Sequence, residues 1–221
     1  MSIYTIYSKP KVGKTTLSLA EAKKGKTAVL NADQGLVGID TTGITLVNDL
    51  SSKGINKTIT PAFLAKHDRV IIDTATSLHD LFLSEAAGGK TPSQQSYGIA
   101  NNAFATLLRT LRDENKEVIV LCQERMVMPT EDWVSDDDDE ETTASVTVDL
   151  PPGAAKSLLT MSDVIGRLYI ANVNDRAVRR LWLTPTPNIV AGARSKTYKG
   201  RPPYLTKPSI SRLNELLGWT R

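Results

Sequence analysis

Residues 8–16 read SKPKVGKTT, a stretch whose side chains and spacing suit the binding of phosphate. A phosphate-binding loop has the form G-x-x-x-x-G-K-[ST]. Gly13, Lys14 and Thr15 satisfy its end, and Ser8 stands where the first glycine belongs. In such a loop the backbone N–H groups and the start of the next helix surround the phosphates. Lys14 then reaches the β- and γ-phosphates and the Thr15 hydroxyl ligates Mg²⁺. The first glycine serves the turn rather than the chemistry, so a small serine is tolerable there. The whole stretch (Ser8, Lys9, Pro10, Lys11, Val12, Gly13, Lys14, Thr15 and Thr16) is therefore the candidate site for ATP with Mg²⁺. A lysine-rich turn that merely contains Gly-Lys-Thr is the plainer reading. A strand before the loop and a helix after it, at the first βα crossover, favour the nucleotide.

Three more residues sit where such chemistry needs them. Asp73 ends the apolar run RVIID (69–73), the place for a second acid that holds Mg²⁺ directly or through water. Taken alone, it would more readily start a turn or cap a helix near Thr76. Asp33 ends TAVLNAD (27–33), where a carboxylate can polarise the water that attacks the γ-phosphate. A turn-forming role is an equal reading for it. Gln123 ends EVIVLCQ (117–123); an amide at that place could sense the γ-phosphate and pass its presence to the following loop, although by itself a glutamine at a strand end usually has no such role.

The elements that must position these residues follow from pattern. IYTIY (3–7) predicts a strand, 15–25 a helix stopped at Gly25, 27–33 a second strand, and 44–47 a short one. A helix is expected over 61–67 and a strand over 69–73. Helices follow over about 76–87 and 98–115, separated by the polar loop 88–96, and then a strand over 117–123. Four apolar strands alternating with helices imply an α/β fold, a mostly parallel central sheet with helices on both faces. Beyond Gln123 the pattern predicts a loop over 131–143, then an antiparallel hairpin over 164–185 turning at Asn174–Asp175. A proline- and glycine-rich surface segment over 185–208 and a helix over 209–218 capped by Ser209 complete the chain.

Composition narrows the class. A chain of 221 residues accommodates one sizeable α/β domain, and no apolar run approaches a membrane span. The N-terminus has no basic segment before a long apolar core, so no export signal is expected. The single cysteine, Cys122, fits a reducing cytosol and a core position. His67 and His79 stand apart, and the run DDDDEE lacks the ligand spacing of a calcium loop. The methionines 126, 128 and 161 and the tryptophans 133, 182 and 219 are expected in core or interface packing. The net charge of +3 hides an asymmetry: residues 131–150 hold nine acids and no base, while 176–221 hold ten bases and one acid. Separated blocks of this kind point to interaction surfaces.

Taken together, SKPKVGKTT, LNADQGL with Asp33, VIIDTATSL with Asp73 and VIVLCQERM with Gln123 resemble the RecA-type ATPase core over residues 3 to about 126. The compact size is similar to the small phage-encoded nucleotide-binding proteins of that superfamily, some of which act in single-strand annealing or recombination. The resemblance implies one RecA-like ATPase domain over 1–221, binding ATP and Mg²⁺. Lys14 and Thr15 bind the triphosphate and metal, Asp73 holds the metal, Asp33 is the general base and Gln123 couples nucleotide to DNA. It also implies single-stranded DNA as a partner, contacted by the segments 88–96 and 124–150, and self-association. A basic residue from a neighbouring subunit would reach the γ-phosphate, with Arg194, Lys196 and Lys199 as candidates.

The basic C-terminal surface, with Arg179, Arg180, Arg194, Lys196, Lys199 and Arg201, is the expected DNA footprint, and Tyr198 or Tyr204 would be stacking platforms. A solvated tail, or docking on the acidic block of a neighbouring copy, explains the same charges. Nine acids in a DNA-contacting loop oppose phosphate binding unless they point away. Two other functions remain open. Lys9 and the GKTT ending resemble the loops of partitioning-type dimeric ATPases, although Pro10 and Lys11 replace two glycines. An assembly or adaptor protein controlled by ATP, with little hydrolysis, is the other.

Overall fold

The computed structural model describes residues 2–128 and 144–219, so the acidic stretch 131–143 and Trp133 lie outside the described residues. In chain order the elements are β1 (Ser2–Ser8), α1 (Lys14–Leu19), β2 (Thr27–Asn31), β3 (Thr45–Val47), α2 (Ser52–Thr58), α3 (Pro61–Lys66) and β4 (Arg69–Asp73). Next come α4 (Ala75–Ala87), α5 (Gln94–Asp113), β5 (Glu117–Val127), β6 (Ser145–Val148) and α6 (Pro152–Met161). The chain closes with β7 (Val164–Val173), β8 (Arg176–Trp182), β9 (Gly192–Ala193), β10 (Tyr204–Thr206) and α7 (Ile210–Leu217).

One sheet runs in the order β10-β8-β7-β1-β5-β4-β2-β3. From β7 to β3 every pairing is parallel, and β8 and β10 add antiparallel strands beyond β7. The central strands are apolar at consecutive positions because both faces are covered. Alternation divides them. Ile3, Tyr7, Val70, Ile72, Val118 and Val120 pack against α2 to α6, while Tyr4, Ile6, Ile71, Ile119 and Leu121 pack against α1 and α7. The expected α/β class, with helices on both faces and a C-terminal antiparallel hairpin, is the one observed. Cys122 is buried, as expected.

Several boundaries differ from the sequence expectation for tertiary reasons. Helix α1 stops at Leu19 rather than near Gly25, because Glu21 is used elsewhere. Its carboxylate accepts from Ser211 N at 2.8 Å and its carbonyl from Arg69 Nη1 at 3.1 Å. Helix α5 begins at Gln94, since Ser93 and Ser96 cap one another reciprocally, which shortens the loop expected over 88–96. Strand β5 does not end at Gln123. It runs on to Val127 and pairs antiparallel with β6, leaving Met126 and Met128 exposed rather than in the core.

The β7–β8 hairpin turns at Asn174 (φ 50°) and Asp175 (φ 58°), both left-handed as a two-residue type I′ loop requires. It is tied to β5 by a two-pronged ion pair: Arg167 Nε and Nη2 donate to Glu124 Oε2 and Oε1 at 3.0 and 3.2 Å. Gly166 of β7 lets β8 close in; an added Cβ there would lie 2.8 Å from Leu181 Cδ1, in the core. Gly166→Ala is therefore expected to destabilise the protein by about 1–3 kcal/mol through overpacking, read as a lower urea midpoint with an unchanged slope.

Candidate nucleotide-binding site

The parallel register brings the carboxyl ends of four strands into a row. Ser8 of β1 pairs with Gln123 of β5, Leu121 of β5 with Asp73 of β4, and Asp73 with Asn31 of β2. Strand β5 separates β1 from β4, so the loop and the acid approach each other across Gln123. In open parallel sheets, ligands bind in the crevice outside these strand ends.

The stretch 8–16 forms the turn the sequence predicts. Gly13 caps α1 with φ 102°, and Leu17 N donates to its carbonyl at 3.0 Å. Lys11 adopts φ 63°, so one of the positions where a glycine is replaced does take a glycine-like conformation. Lys9, Pro10, Lys11 and Thr16 are exposed; Val12, Gly13 and Thr15 are half-buried.

Lys14 is buried, and its ammonium is folded back onto the loop and β5. Nζ donates to Ser8 Oγ at 3.1 Å, Ser8 O at 3.2 Å, Lys9 O at 3.3 Å and Gln123 Oε1 at 3.2 Å. Burial pulls its pKa below the ordinary lysine value, opposed by the charges of Asp73 and Asp33. Ser8 at the first glycine's place thus supplies two acceptors to the lysine. Thr15 Oγ1 donates to Asp73 Oδ2 at 2.8 Å. Asp73 is 2% exposed, and its pKa is raised first by burial and then by Asp33, against the Thr15 hydrogen bond and Lys14.

Asp33 lies just past β2, where Ala32 N and Asp33 N both donate to Asp73 O, at 2.8 and 3.0 Å. This fork turns the exposed Asp33 carboxylate towards α4, where Ser77 Oγ donates to it. Gln123 is held by its backbone: its N–H donates to Thr76 Oγ1 at 3.2 Å and its carbonyl accepts from Asp149 N at 2.8 Å. The structure therefore brings together Ser8, Lys14, Thr15, Asp33, Asp73 and Gln123. Sequence reasoning missed Ser77 and Thr76, which sit on the first turns of α4; the clue was their place just past Asp73.

The basic candidates lie elsewhere. Arg194 binds Asp163 Oδ1 at 3.4 Å and Thr160 O at 2.6 Å, and Asp163 in turn bonds Ile3, at the end of β1 opposite the phosphate loop. Lys196, Lys199 and Arg201 are exposed on the adjoining segment, which Ser195 and Thr197 fasten to Leu217 O. The structure does not bring Arg194 to the phosphate loop of its own chain. Tyr198 is buried, with its hydroxyl donating to Pro202 O at 2.8 Å, so it offers no stacking face. The ring of Tyr204 already carries the Arg180 guanidinium at 4.2 Å. Arg179, expected in the same surface, lies instead against Gly13.

Mg²⁺ suits this donor set. Among the described residues no cluster of three or more His, Cys, Asp or Glu could hold a metal, but Mg²⁺ needs only one or two protein ligands plus phosphate and water. The Thr15 hydroxyl and the Asp73 carboxylate, already in contact, are the residues that would hold it. Because the folded pKa of Asp73 is raised, its contribution to stability is full below the ordinary carboxylate pKa and is lost as pH rises through the folded value. Asp73→Asn keeps an acceptor for Thr15 and removes the buried charge. The variant is expected to melt at a higher temperature than wild type at about pH 7.5 without ligand, and to lose the Mg²⁺-dependent stabilisation by ATP. Differential scanning fluorimetry reads both.

Among the described residues no helix is long and apolar enough to cross a membrane. No curated protein matches the chain. Among solved structures, a KaiC-like protein from the hyperthermophilic archaeon Pyrococcus horikoshii is similar at a TM-score of 0.46 and 12% identity, over 82% of this chain and 77% of that one. The family described as the AAA domain matches residues 2–195. That span holds the loop, both acids and Gln123, and the chain belongs to the AAA domain family as a P-loop ATPase.

Proposed function

We propose that the protein hydrolyses Mg-ATP at the crevice formed by β1, β5 and β4, and couples the nucleotide to single-stranded DNA in annealing or recombination. The observation that carries the reading is the Lys14 Nζ–Gln123 Oε1 hydrogen bond of 3.2 Å. It joins the phosphate loop to a strand that continues past the site into the β5–β6 hairpin. A γ-phosphate competes for the Lys14 ammonium, and Gln123 then loses its partner. The strand beyond Gln123 is where the resemblance to RecA-type ATPases puts contact with DNA.

In the hydrolysis, Lys14 holds the β- and γ-phosphates. Mg²⁺, when bound, neutralises charge on the phosphoryl oxygens. Asp33 accepts a proton from the attacking water while the oxygen–phosphorus bond to ADP breaks, and Ser77 orients the carboxylate that does so. The DNA footprint in this reading is the exposed basic set of Lys196, Lys199 and Arg201, with Arg180 over Tyr204. Arg194 is the candidate for action in a neighbouring copy, and self-association follows from that role. A phage origin and a cytoplasmic location belong to the same reading.

Hydrolysis measured for wild type and Lys14→Ala, each with and without single-stranded DNA, tests it. The expected result is turnover that DNA raises and that Lys14→Ala lowers by about two orders of magnitude or more. Turnover indifferent to DNA would favour the partitioning-type reading, for which Lys9 is exposed and available. Bound ATP without turnover would favour an assembly protein.

A further inference from the structure

The β7–β8 hairpin outreaches the strand it flanks. Pairing between β1 and β7 ends at Tyr7–Arg167, so residues 168–173 and their partners on β8 project past the start of the phosphate loop. Leu181 points into the core shared with Leu17 and Leu168, and Arg179, two residues earlier on the strand, lies on the same α1 side. Its guanidinium rests on the loop: a Cβ added at Gly13 would lie 3.0 Å from both Arg179 Cζ and Nε and 3.2 Å from Nη2. Gly13 therefore serves two ends, a left-handed turn and room for an arginine.

That arginine has no partner among the described residues. Arg69, Arg167 and Arg194 have acids, Arg112 and Arg212 have carbonyls, and Arg180 has a ring; among the arginines without such a partner, Arg179 is set apart by its place against Gly13. Arg179 instead adds a charge to a loop that already carries Lys9, Lys11 and Lys14. An exposed cation placed on other cations gains nothing without an anion between them. A planar guanidinium is the side chain best shaped to grip phosphate oxygens with two parallel N–H groups.

We propose that Arg179 binds the phosphate chain of the nucleotide from within the same chain. The inference rests on the reading of residues 8–16 as a nucleotide site and adds a ligand to it from the far edge of the sheet. The basic residues then divide by function. Arg179 serves the bound phosphates in cis, while Arg194, Lys196 and Lys199 remain for a neighbour or for DNA.

The test is equilibrium binding of a fluorescent ATP analogue to wild type, Arg179→Ala, Arg176→Ala and Lys14→Ala, with inorganic tripolyphosphate as competitor and melting temperature as a fold control. Arg179→Ala is expected to raise the Kd about tenfold or more, and to weaken tripolyphosphate competition to the same degree. Arg176→Ala, an exposed charge on the same strand, is expected to bind as wild type. Arg179→Gln, a shorter side chain that keeps hydrogen bonding without the charge, carries the same expectation should the alanine variant fail to fold.

An unchanged Kd in Arg179→Ala, with binding abolished in Lys14→Ala, overturns this inference and leaves the nucleotide site standing. Weakened ATP binding with undiminished tripolyphosphate competition overturns it too, by assigning Arg179 to the nucleoside. No nucleotide binding by wild type removes the site reading itself, and the inference with it.

Discussion

A buried ammonium is the constraint on which the site depends. Burying a lysine charge costs several kcal/mol unless its N–H groups find acceptors. Lys14 finds them only because β1 ends at Ser8, the loop turns back over the strand end, and β5 presents Gln123 alongside. Three acceptors come from the start of the loop, on Ser8 and Lys9, and the fourth from β5. The lysine is thereby fixed in the crevice and satisfied by neutral oxygens. A triphosphate offers it stronger, charged acceptors.

The strand order carries this arrangement across the sheet. With β5 between β1 and β4, the acid and the loop cannot touch through backbone pairing, and contact passes through side chains: Thr15 to Asp73, and Lys14 to Gln123. Gln123 is fixed on both sides of its backbone, by Thr76 and by the turn at Asp149, so its amide is aimed while the strand beyond is free to pair with β6. The same polypeptide thus contributes to the phosphate site and to the hairpin outside it.

Charge is distributed around the crevice by role. Asp33 and Asp73 sit together on the β2–β4 side, joined by the two amides that bond Asp73 O, and the Asp33 charge adds to the cost of ionising the buried Asp73. Cations gather on the β1–β7 side, with Lys14 from below and Arg179 from the hairpin. A metal and a polyanion placed between the two sides resolve both repulsions.

The phosphate loop, the parallel strands and the acids at their ends were legible in the amino-acid order, because each depends on local pattern. A run of apolar residues buried on both faces identifies a central strand, and a residue after its last apolar position falls at the sheet edge whatever the register. Unlike Gln123, which lies inside a strand that runs on to Val127, Ser8 to Thr16 and Asp73 are of this kind. So is the Asn174–Asp175 turn, whose two residues tolerate the left-handed conformation a tight hairpin demands. What only the tertiary structure decided are contacts between distant segments. Ser77 meets Asp33, Glu124 meets Arg167, and Arg179 settles on Gly13, while Arg194 is drawn to Asp163 at the other end of β1. Nothing local distinguishes Arg179 from Arg180; the pleat sends one to the phosphate loop and the other to Tyr204. Which strand neighbours which, and in what register, is set by burial summed over the whole sheet, and that sum is not visible in any one stretch of sequence.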